Sequence, residues 1–334
     1  MLDASMWLIL IVVVLALAFD FINGFHDTAN AIATSISTKA LPPRVAIILA
    51  ATMNLLGALT FTGVAKTIGG DIADPAKLAN GMWIVVAAMI AAIIWNLITW
   101  WFGIPSSSSH ALIGALTGAV IASAGFSAVN YEGFLKILKA LIISPILALI
   151  VGFIIMLAIL WIFRNVAGAK VSRGFRTMQI FSAAVQSFMH GTNDAQKAMG
   201  IITFALVAGG FQSTTDIPLW VKLGAALAMA AGTATGGWKI IKTVGRGIIK
   251  MSPSNGFAAD LTSSIVIFGA TYLTLPVSST HVISSAIMGV GSAKGFNKVK
   301  WDVAGKIVTT WVITLPITAV LSAVIYWLMD LLFI

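Results

Sequence analysis

The chain has 334 residues, of which 59% are hydrophobic and 9% are charged, and its formal net charge is +9 at pH 7. A soluble domain carries about 25% charged residues, so most of this surface must face lipid rather than water. The sequence contains no cysteine, which excludes disulfides and thiolate metal sites. The basic residues lie mainly in short loops between apolar runs, which indicates membrane orientation rather than nucleic-acid binding.

Apolar runs recur along the whole chain at lengths close to the roughly 20 residues that cross a bilayer. We predict an all-α polytopic membrane protein with about ten segments. The first segment is interpreted as a retained helix rather than a signal peptide, because no basic residue precedes it. It is too long for one straight crossing, so we expect a break or bend near Asn23-Gly24. The segments are 5–38, 45–65, 82–104, 106–124, 134–163, 177–208, 218–236, 257–275, 277–291 and 303–333.

The distribution of basic residues predicts the topology. Fourteen of the 20 lysines and arginines fall in four segments, 39–44, 164–176, 238–250 and 294–306. Loops on the cytoplasmic side of a membrane protein carry an excess of positive charge. With ten crossings, this rule places those four segments inside and both termini outside.

Three motifs occur twice in the same order, which indicates an internal duplication. Residues 23–31 match 190–198, residues 66–69 match 242–245, and residues 105–110 match 276–281. We therefore divide the chain into a first repeat at 1–165, a basic cytoplasmic linker at 166–176 and a second repeat at 177–334. Five segments per repeat would invert the second relative to the first. Inverted repeats with interrupted helices or re-entrant hairpins are typical of secondary transporters, whose substrate sites lie where the repeats meet.

The first motif places a polar stripe on one helix face in each repeat. Ionisable residues at membrane depth cost at least ~2.5 kcal/mol each, so they indicate an ion or substrate site more than an ion-pair network between helices. The stripes are Asp20, Asn23, Asp27 and Asn30 in the first repeat, and Ser187, His190, Asp194 and Lys197 in the second.

The Ser-rich motif follows a proline in both repeats, which suits the start of a helix. Helix N-termini bind anions through free N–H groups and the helix dipole. The alternative is that these hydroxyls bond to their own helix or allow close helix packing. The predicted anion-binding hydroxyls are Ser106, Ser107, Ser108, Ser109, Ser278, Ser279, Thr280 and, in the first motif of the second repeat, Thr192.

All four histidines, His26, His110, His190 and His281, lie within the duplicated motifs. Imidazole titrates near neutrality, so these side chains could carry a coupling proton or help to hold a metal ion. Their spacing does not match a structural zinc site.

The motifs resemble the inorganic phosphate transporter (Pit) family, whose duplicated signature is written G-A-N-D-V-A-N-A. Here it reads Gly24-Phe25-His26-Asp27-Thr28-Ala29-Asn30-Ala31, and the form with His26 is similar to the bacterial low-affinity Pit branch. The resemblance spans both halves. It implies cation-coupled phosphate uptake by alternating access, in a homodimer in the plasma membrane, and not an enzyme. Bacterial members are associated with H⁺ and with metal–phosphate complexes, others use Na⁺, and one branch carries sulfate.

We hypothesise that the anion lies between the two Ser-rich helix ends and faces the carboxylates of Asp27 and Asp194. A co-transported cation would neutralise these carboxylates, because either charge alone is costly in a low dielectric. We expect protons ahead of Na⁺, no bound cofactor, and a divalent metal only as part of the cargo. The alternatives are a sulfate transporter, an anion channel and an intramembrane Asp-dependent hydrolase. The predicted coupling-ion and substrate residues are Asp27, Asn30, Asn23, Asn193, Asp194, Lys197, His26 and His190, supported by His110 and His281.

Overall fold

The computed structural model describes residues 4–74, 77–78 and 80–333, and within them the chain is α-helical apart from turns and one antiparallel bridge between Ile249 and Val299. This confirms the all-α prediction. The helices are α1 (Ala4–Ser37), α2 (Pro43–Ala58), α3 (Gly63–Gly70), α4 (Gly81–Phe102), α5 (Ser108–Ala124), α6 (Tyr131–Ile162), α7 (Gly168–Asp194), α8 (Gln196–Ala208), α9 (Leu219–Thr235), α10 (Trp238–Lys242), α11 (Pro253–Tyr272), α12 (Ser279–Ala293) and α13 (Trp301–Phe333). Short 3-10 turns lie at Phe126–Ala128 and Phe296–Lys298, and a π turn at Thr243–Gly247 extends α10.

Each of the ten predicted segments corresponds to a helix or to a pair of consecutive helices, which fits a polytopic membrane protein. Four helices in the described part of the chain, α1, α4, α6 and α13, are individually long and apolar enough to cross a bilayer. Helices α2 and α3 pass the same test together but are bent by 71° at their junction. The four long helices carry exposed apolar side chains, such as Ile146 on α6 and Val320 on α13. Contact with lipid requires such side chains.

The long first helix differs from its counterpart in the second repeat. Helix α1 runs without interruption from Ala4 to Ser37, so the break considered near Asn23-Gly24 is absent. The interruption lies instead at Ala195, which separates α7 from α8 directly after Asp194. The segment predicted as the linker is partly helical, since α7 begins at Gly168. The break therefore lies directly after the buried carboxylate of Asp194.

The two repeats pack across each other in matched pairs of helices. Helix α13 packs on α5 while α6 packs on α12, and α9 packs on α1 while α2 packs on α7. Glycines permit the closest approaches: Gly118 of α5 faces the backbone of Ala319, and Gly289 of α12 faces the backbone of Leu149. Neither position has room for a β-carbon. Small residues at such crossings are typical of helix association in membranes.

Two matched helical hairpins bring the Ser-rich segments to the centre. Helix α4 ends at Phe102 and is followed by Gly103, with φ of 67°, and α11 ends at Tyr272, two residues before Thr274, with φ of 58°. In both turns the following residue closes the helix end: the N–H of Ile104 donates to Thr99 O at 2.9 Å and that of Leu275 to Ala270 O at 2.8 Å. These turns are followed by α5 and α12, whose N-termini point into the protein.

Candidate functional site

The site is built on two carboxylates, Asp27 on α1 and Asp194 at the end of α7, both almost completely buried. Each accepts a hydrogen bond from the first residue of a half-helix. Ser108 Oγ donates to Asp27 Oδ2 at 3.0 Å, and Ser279 Oγ donates to Asp194 Oδ2 at 2.6 Å. Thr280 Oγ1 lies 3.2 Å from Asp27 Oδ1 and links the second hairpin to the first carboxylate. The N-termini of α5 and α12 therefore meet at the two acids.

The duplicated motifs form two equivalent hydrogen-bonded chains. In one, Lys197 Nζ donates to Ser108 Oγ at 2.8 Å, and Ser108 donates to Asp27. In the other, Asn30 Nδ2 donates to Ser279 Oγ at 3.1 Å, and Ser279 donates to Asp194. Lys197 and Asn30 occupy the same position of the repeat. The two repeats therefore match in their individual hydrogen bonds. The two chains differ in that the first donor is the ammonium of Lys197 in one and the amide of Asn30 in the other.

Each carboxylate also has a histidine beside it. His26 Nδ1 lies 2.8 Å from Asp27 Oδ1, and His190 Nε2 lies 2.8 Å from Asp194 Oδ2. The second nitrogen of His26 contacts Thr99 Oγ1 at 3.1 Å. The two histidines occupy different positions of the motif: His26 directly precedes Asp27, whereas His190 lies four residues before Asp194. Both repeats nevertheless pair a histidine with the carboxylate.

The centre of the site has the donor set of a cation site. One ligand atom from each of Asp27, His190 and Asp194 can be chosen so that all three lie within 4.8 Å of one another. Lys197 Nζ lies 2.9 Å from Asp194 Oδ1 and is buried. Among the described residues no other lysine or arginine is buried. With neutral histidines, two carboxylates face one ammonium, so the site holds an excess negative charge that a cation would balance.

The remaining predicted hydroxyls support the hairpin tips. Ser107 and Ser278 are the N-caps of α5 and α12 and accept from the N–H of His110 and His281. Ser106 Oγ lies 2.8 Å from Thr99 Oγ1, and Ser109 Oγ donates to Val277 O at 2.7 Å, which joins the two tips.

His110 and His281 contact each other at the start of the two half-helices. Their ring centroids are 4.5 Å apart, and His281 stacks on Trp311 at 4.0 Å. Their contact joins the two half-helices.

Three further predicted residues lie at its edge. Asn193 Nδ2 donates to Thr271 Oγ1 at 3.1 Å and to Leu275 O at 3.2 Å, and thereby holds the second hairpin turn. Thr192 Oγ1 donates to Met189 O of its own helix at 2.6 Å. Asn23 is buried without a hydrogen-bond partner for its side chain.

Two residues outside the motifs orient the histidines. Thr99 on α4 contacts His26 and Ser106, and Asn54 on α2 places its Oδ1 3.1 Å from His190 Nδ1. The only signal for them in the sequence is a polar side chain in an apolar helix, which does not reveal the partner.

Known proteins are similar to this chain in sequence and in fold over nearly its whole length. Residues 23–322 match the model of the phosphate transporter family. A protein of Bacillus subtilis (strain 168) described as a probable low-affinity inorganic phosphate transporter is 59% identical, over 99% of this chain and 100% of the relative. A protein of the same description from Rhizobium meliloti (strain 1021) is 44% identical, over 96% of each chain.

A solved structure described as the sodium-dependent phosphate transporter superposes with a TM-score of 0.89 at 26% identity, over 98% of this chain and 100% of that chain. The relatives are described as transporters and not as enzymes, which agrees with the prediction that the chain is not an enzyme. The chain belongs to the phosphate transporter family.

Proposed function

We propose that this protein is a symporter that carries inorganic phosphate across the plasma membrane together with a cation, by alternating access between the two sides. The observation that carries the proposal is the matched pair of chains, Lys197–Ser108–Asp27 and Asn30–Ser279–Asp194. In these chains, hydroxyl, amide and ammonium donors that suit an anion are in direct contact with carboxylates that suit a cation. A site with both donor sets is suited to carrying two ions of opposite charge at once.

The coupling follows from electrostatics. A phosphate anion entering beside Asp27 and Asp194 would meet two negative charges and only one fixed positive charge, on Lys197. Two unit charges 4 Å apart interact by about 4 kcal/mol at an effective dielectric constant of 20. A cation bound by the carboxylates removes much of this repulsion, so each ion raises the affinity of the site for the other. This reciprocity is the thermodynamic basis of coupling.

The donors around the site suit a tetrahedral oxyanion. Ser108, Ser279, Thr280 and Lys197 supply hydroxyl and ammonium groups, and the first N–H groups of α5 and α12 add donors and the positive ends of two helix dipoles. Phosphate fits better than sulfate, because monohydrogen phosphate can donate its proton to a carboxylate. Sulfate has no proton and would leave that carboxylate unpaired.

We favour protons over Na⁺ as the coupling ion, with a divalent metal entering only as a complex with phosphate. His26 and His190 beside the two carboxylates support a proton, because imidazole exchanges protons near neutral pH. The oxygen ligands of Asp27, Asn30 and Asp194 would also suit Na⁺, as hard cations prefer oxygen. The name of the sodium-dependent structural relative favours that alternative.

We further propose a homodimer with both termini outside and the four basic segments in the cytoplasm. The excess of lysine and arginine in these segments supports the orientation.

The test is uptake of radiolabelled phosphate into proteoliposomes that contain the purified protein. A pH gradient, a Na⁺ gradient and no gradient are imposed separately, each with and without Mg²⁺. Uptake under the pH gradient without Na⁺ is expected. Uptake restored by Na⁺ alone would replace the proton with Na⁺. If phosphate equilibrates across the membrane at the same rate with and without each cation gradient, the protein is a channel and symport is rejected.

A further inference from the structure

A cavity of about 320 Å³ lies where the end of α6 meets the start of α7, the start of α11 and the end of α12. Its apolar lining comes mainly from α6 and α7 and includes Ile159, Phe163 and Val171. Its polar lining consists of two basic side chains, Arg164 and Lys294, and three serines, and none of the described residues that line it is acidic. The three serines are Ser172, Ser252 and Ser254. We call this cavity the basic pocket.

Neither cation of the basic pocket is neutralised within the described part of the chain. Arg164 and Lys294 form no ion pair there, because every salt bridge belongs to another lysine or to a histidine. Lys294 Nζ donates to Ser252 Oγ at 3.4 Å, and the guanidinium of Arg164 lies 5.8 Å from the centre of the Trp161 ring. Partial loss of water around Lys294 lowers the pKa of its ammonium. An anion in the pocket would balance both charges.

The start of α11 adds to the attraction for an anion. Helix α11 begins at Pro253, and the side chain of its N-cap, Ser252, makes no capping hydrogen bond. The first N–H groups of a helix and the helix dipole favour negative charge. The helix start therefore acts on the same cavity as the two cations.

The equivalent position of the first repeat is not basic. The two Ser-rich motifs begin at residues 105 and 276, which gives an offset of 171, and with this offset Lys294 corresponds to Ser123. Ser123 Oγ donates to Tyr326 Oη at 2.7 Å, so this polar group has a fixed partner inside the protein. The end of α5 therefore packs without a cation, and the repeated fold does not by itself require one at Lys294.

The basic pocket lies at a boundary of the membrane. Trp161, near the end of α6, has 68% of its surface exposed, and tryptophan is enriched where helices leave the bilayer. Arg164 and Lys294 belong to two of the four basic segments, which together contain 14 basic residues and one acidic residue, Asp302. An occupant with both an apolar part and a negative charge fits this position.

We propose that the basic pocket binds an anionic phospholipid, with its phosphate between Arg164 and Lys294 and an acyl chain along the end of α6. Basic pockets between transmembrane helices on the cytoplasmic side suit acidic lipid head groups. The assignment to the cytoplasmic leaflet rests on the proposed orientation, whereas binding itself does not. Because the pocket joins α6 of the first repeat to α11 and α12 of the second, the bound lipid stabilises the contact between the repeats at this end.

Binding is tested on the purified protein in detergent, by native mass spectrometry and by thermal melting. Phosphatidylglycerol is expected to remain bound and to raise the melting temperature, and uncharged phosphatidylcholine to do neither. An equal effect of the two lipids would overturn the proposal, because the charge of the head group would then be irrelevant. Inorganic phosphate is added as a competitor. Displacement of phosphatidylglycerol by inorganic phosphate at equal concentration would assign the pocket to the free anion and overturn the lipid as its ligand.

Paired substitutions locate the binding. Arg164→Gln combined with Lys294→Gln removes both charges from the pocket, and phosphatidylglycerol binding is expected to weaken by about tenfold or more, as for one lost hydrogen bond to a charged group. The matched control is Arg173→Gln combined with Lys298→Gln, which removes two charges from the same basic segments but outside the pocket. This control is expected to bind the lipid as the wild type does.

The exchange Arg164→Lys with Lys294→Arg keeps both charges and separates the loss of charge from a loss of folding. This variant is expected to retain phosphatidylglycerol. Equal weakening in the pocket variant and its matched control would show that the charge of the whole surface attracts the lipid, and would overturn the basic pocket as a site.

Discussion

His190 and Asp194 form one buried contact, with His190 Nε2 2.8 Å from Asp194 Oδ2. The other ring nitrogen, Nδ1, lies 3.1 Å from Asn54 Oδ1. Asn54 is oriented by its Nδ2, which donates to Thr233 Oγ1 at 2.9 Å while Thr233 donates to Met229 O. Nδ1 of His190 therefore carries a hydrogen. In a neutral ring Nε2 then carries no hydrogen, and it makes no hydrogen bond among the described residues.

This geometry predicts the effect of replacing His190. In His190→Gln the side chain can still bond to Asn54 but cannot take up a proton at neutral pH. Uptake driven by a pH gradient should fall strongly, while uptake driven by a metal–phosphate or Na⁺ gradient falls less. Phosphate uptake into proteoliposomes, measured at several internal pH values and with each cation gradient in turn, gives the two responses. An unchanged response to the pH gradient would move His190 to a purely structural role.

The two central carboxylates should be essential for coupling. Asp27→Asn and Asp194→Asn remove a negative charge but keep the size of the side chain, so we expect loss of coupled uptake with normal expression and a normal melting temperature. Asp216→Asn is the matched control, because its ion pair with Lys66 is exposed to solvent and contributes little to stability. Wild-type uptake in both central variants would contradict the proposed coupling role.

The half-helix hydroxyls should determine phosphate affinity. Ser108→Ala and Ser279→Ala each remove a donor at a helix N-terminus, and we expect the KM for phosphate to rise by about tenfold, as for one lost hydrogen bond to a charged group. Thr309→Ala serves as the control, since its exposed hydroxyl bonds only to Gly305 O of its own helix. Equal KM values for all three variants would show that the hydroxyls do not bind the anion.

Competition between anions tests the preference for phosphate. Because monohydrogen phosphate can donate to a carboxylate and sulfate cannot, unlabelled phosphate should inhibit uptake of labelled phosphate at much lower concentration than sulfate. Inhibition curves at constant pH and ionic strength measure the difference. Equal inhibition by the two anions would favour the sulfate-transporting alternative.

The packing between repeats predicts a stability effect at Gly118. A β-carbon there would collide with the carbonyl of Ala319 on α13. Gly118→Ala should therefore destabilise the protein by about 1–3 kcal/mol, the usual cost of overpacking a core. Gly269→Ala is the control, because nothing lies within 4 Å of the added carbon. Thermal melting in detergent compares the two, and equal melting temperatures would show that α5 and α13 can separate at little cost.

The helices and the duplicated motifs could be predicted because they depend on local properties. Apolar runs of sufficient length must be helical in lipid, where every backbone polar group needs an internal partner. The matched motifs at Asp27 and Asp194 were visible as repeated residues. The break at Ala195 and the continuity of α1 at Gly24 were not predictable in the same way, because both depend on what packs against the helix.

By itself, the sequence determined the membrane class, the two repeats and the residue types at the centre of the site, since composition, periodicity and repetition are properties of the chain alone. Only the tertiary structure decided the partners. It joined Lys197 to Ser108 and Asn30 to Ser279, and it assigned Ser107 and Ser278 to capping. It also placed Asp260, outside every motif, against Thr34. The three pairings between helices join residues 89 to 249 positions apart. No local pattern encodes which helix faces meet when buried polar groups must find partners in a low dielectric.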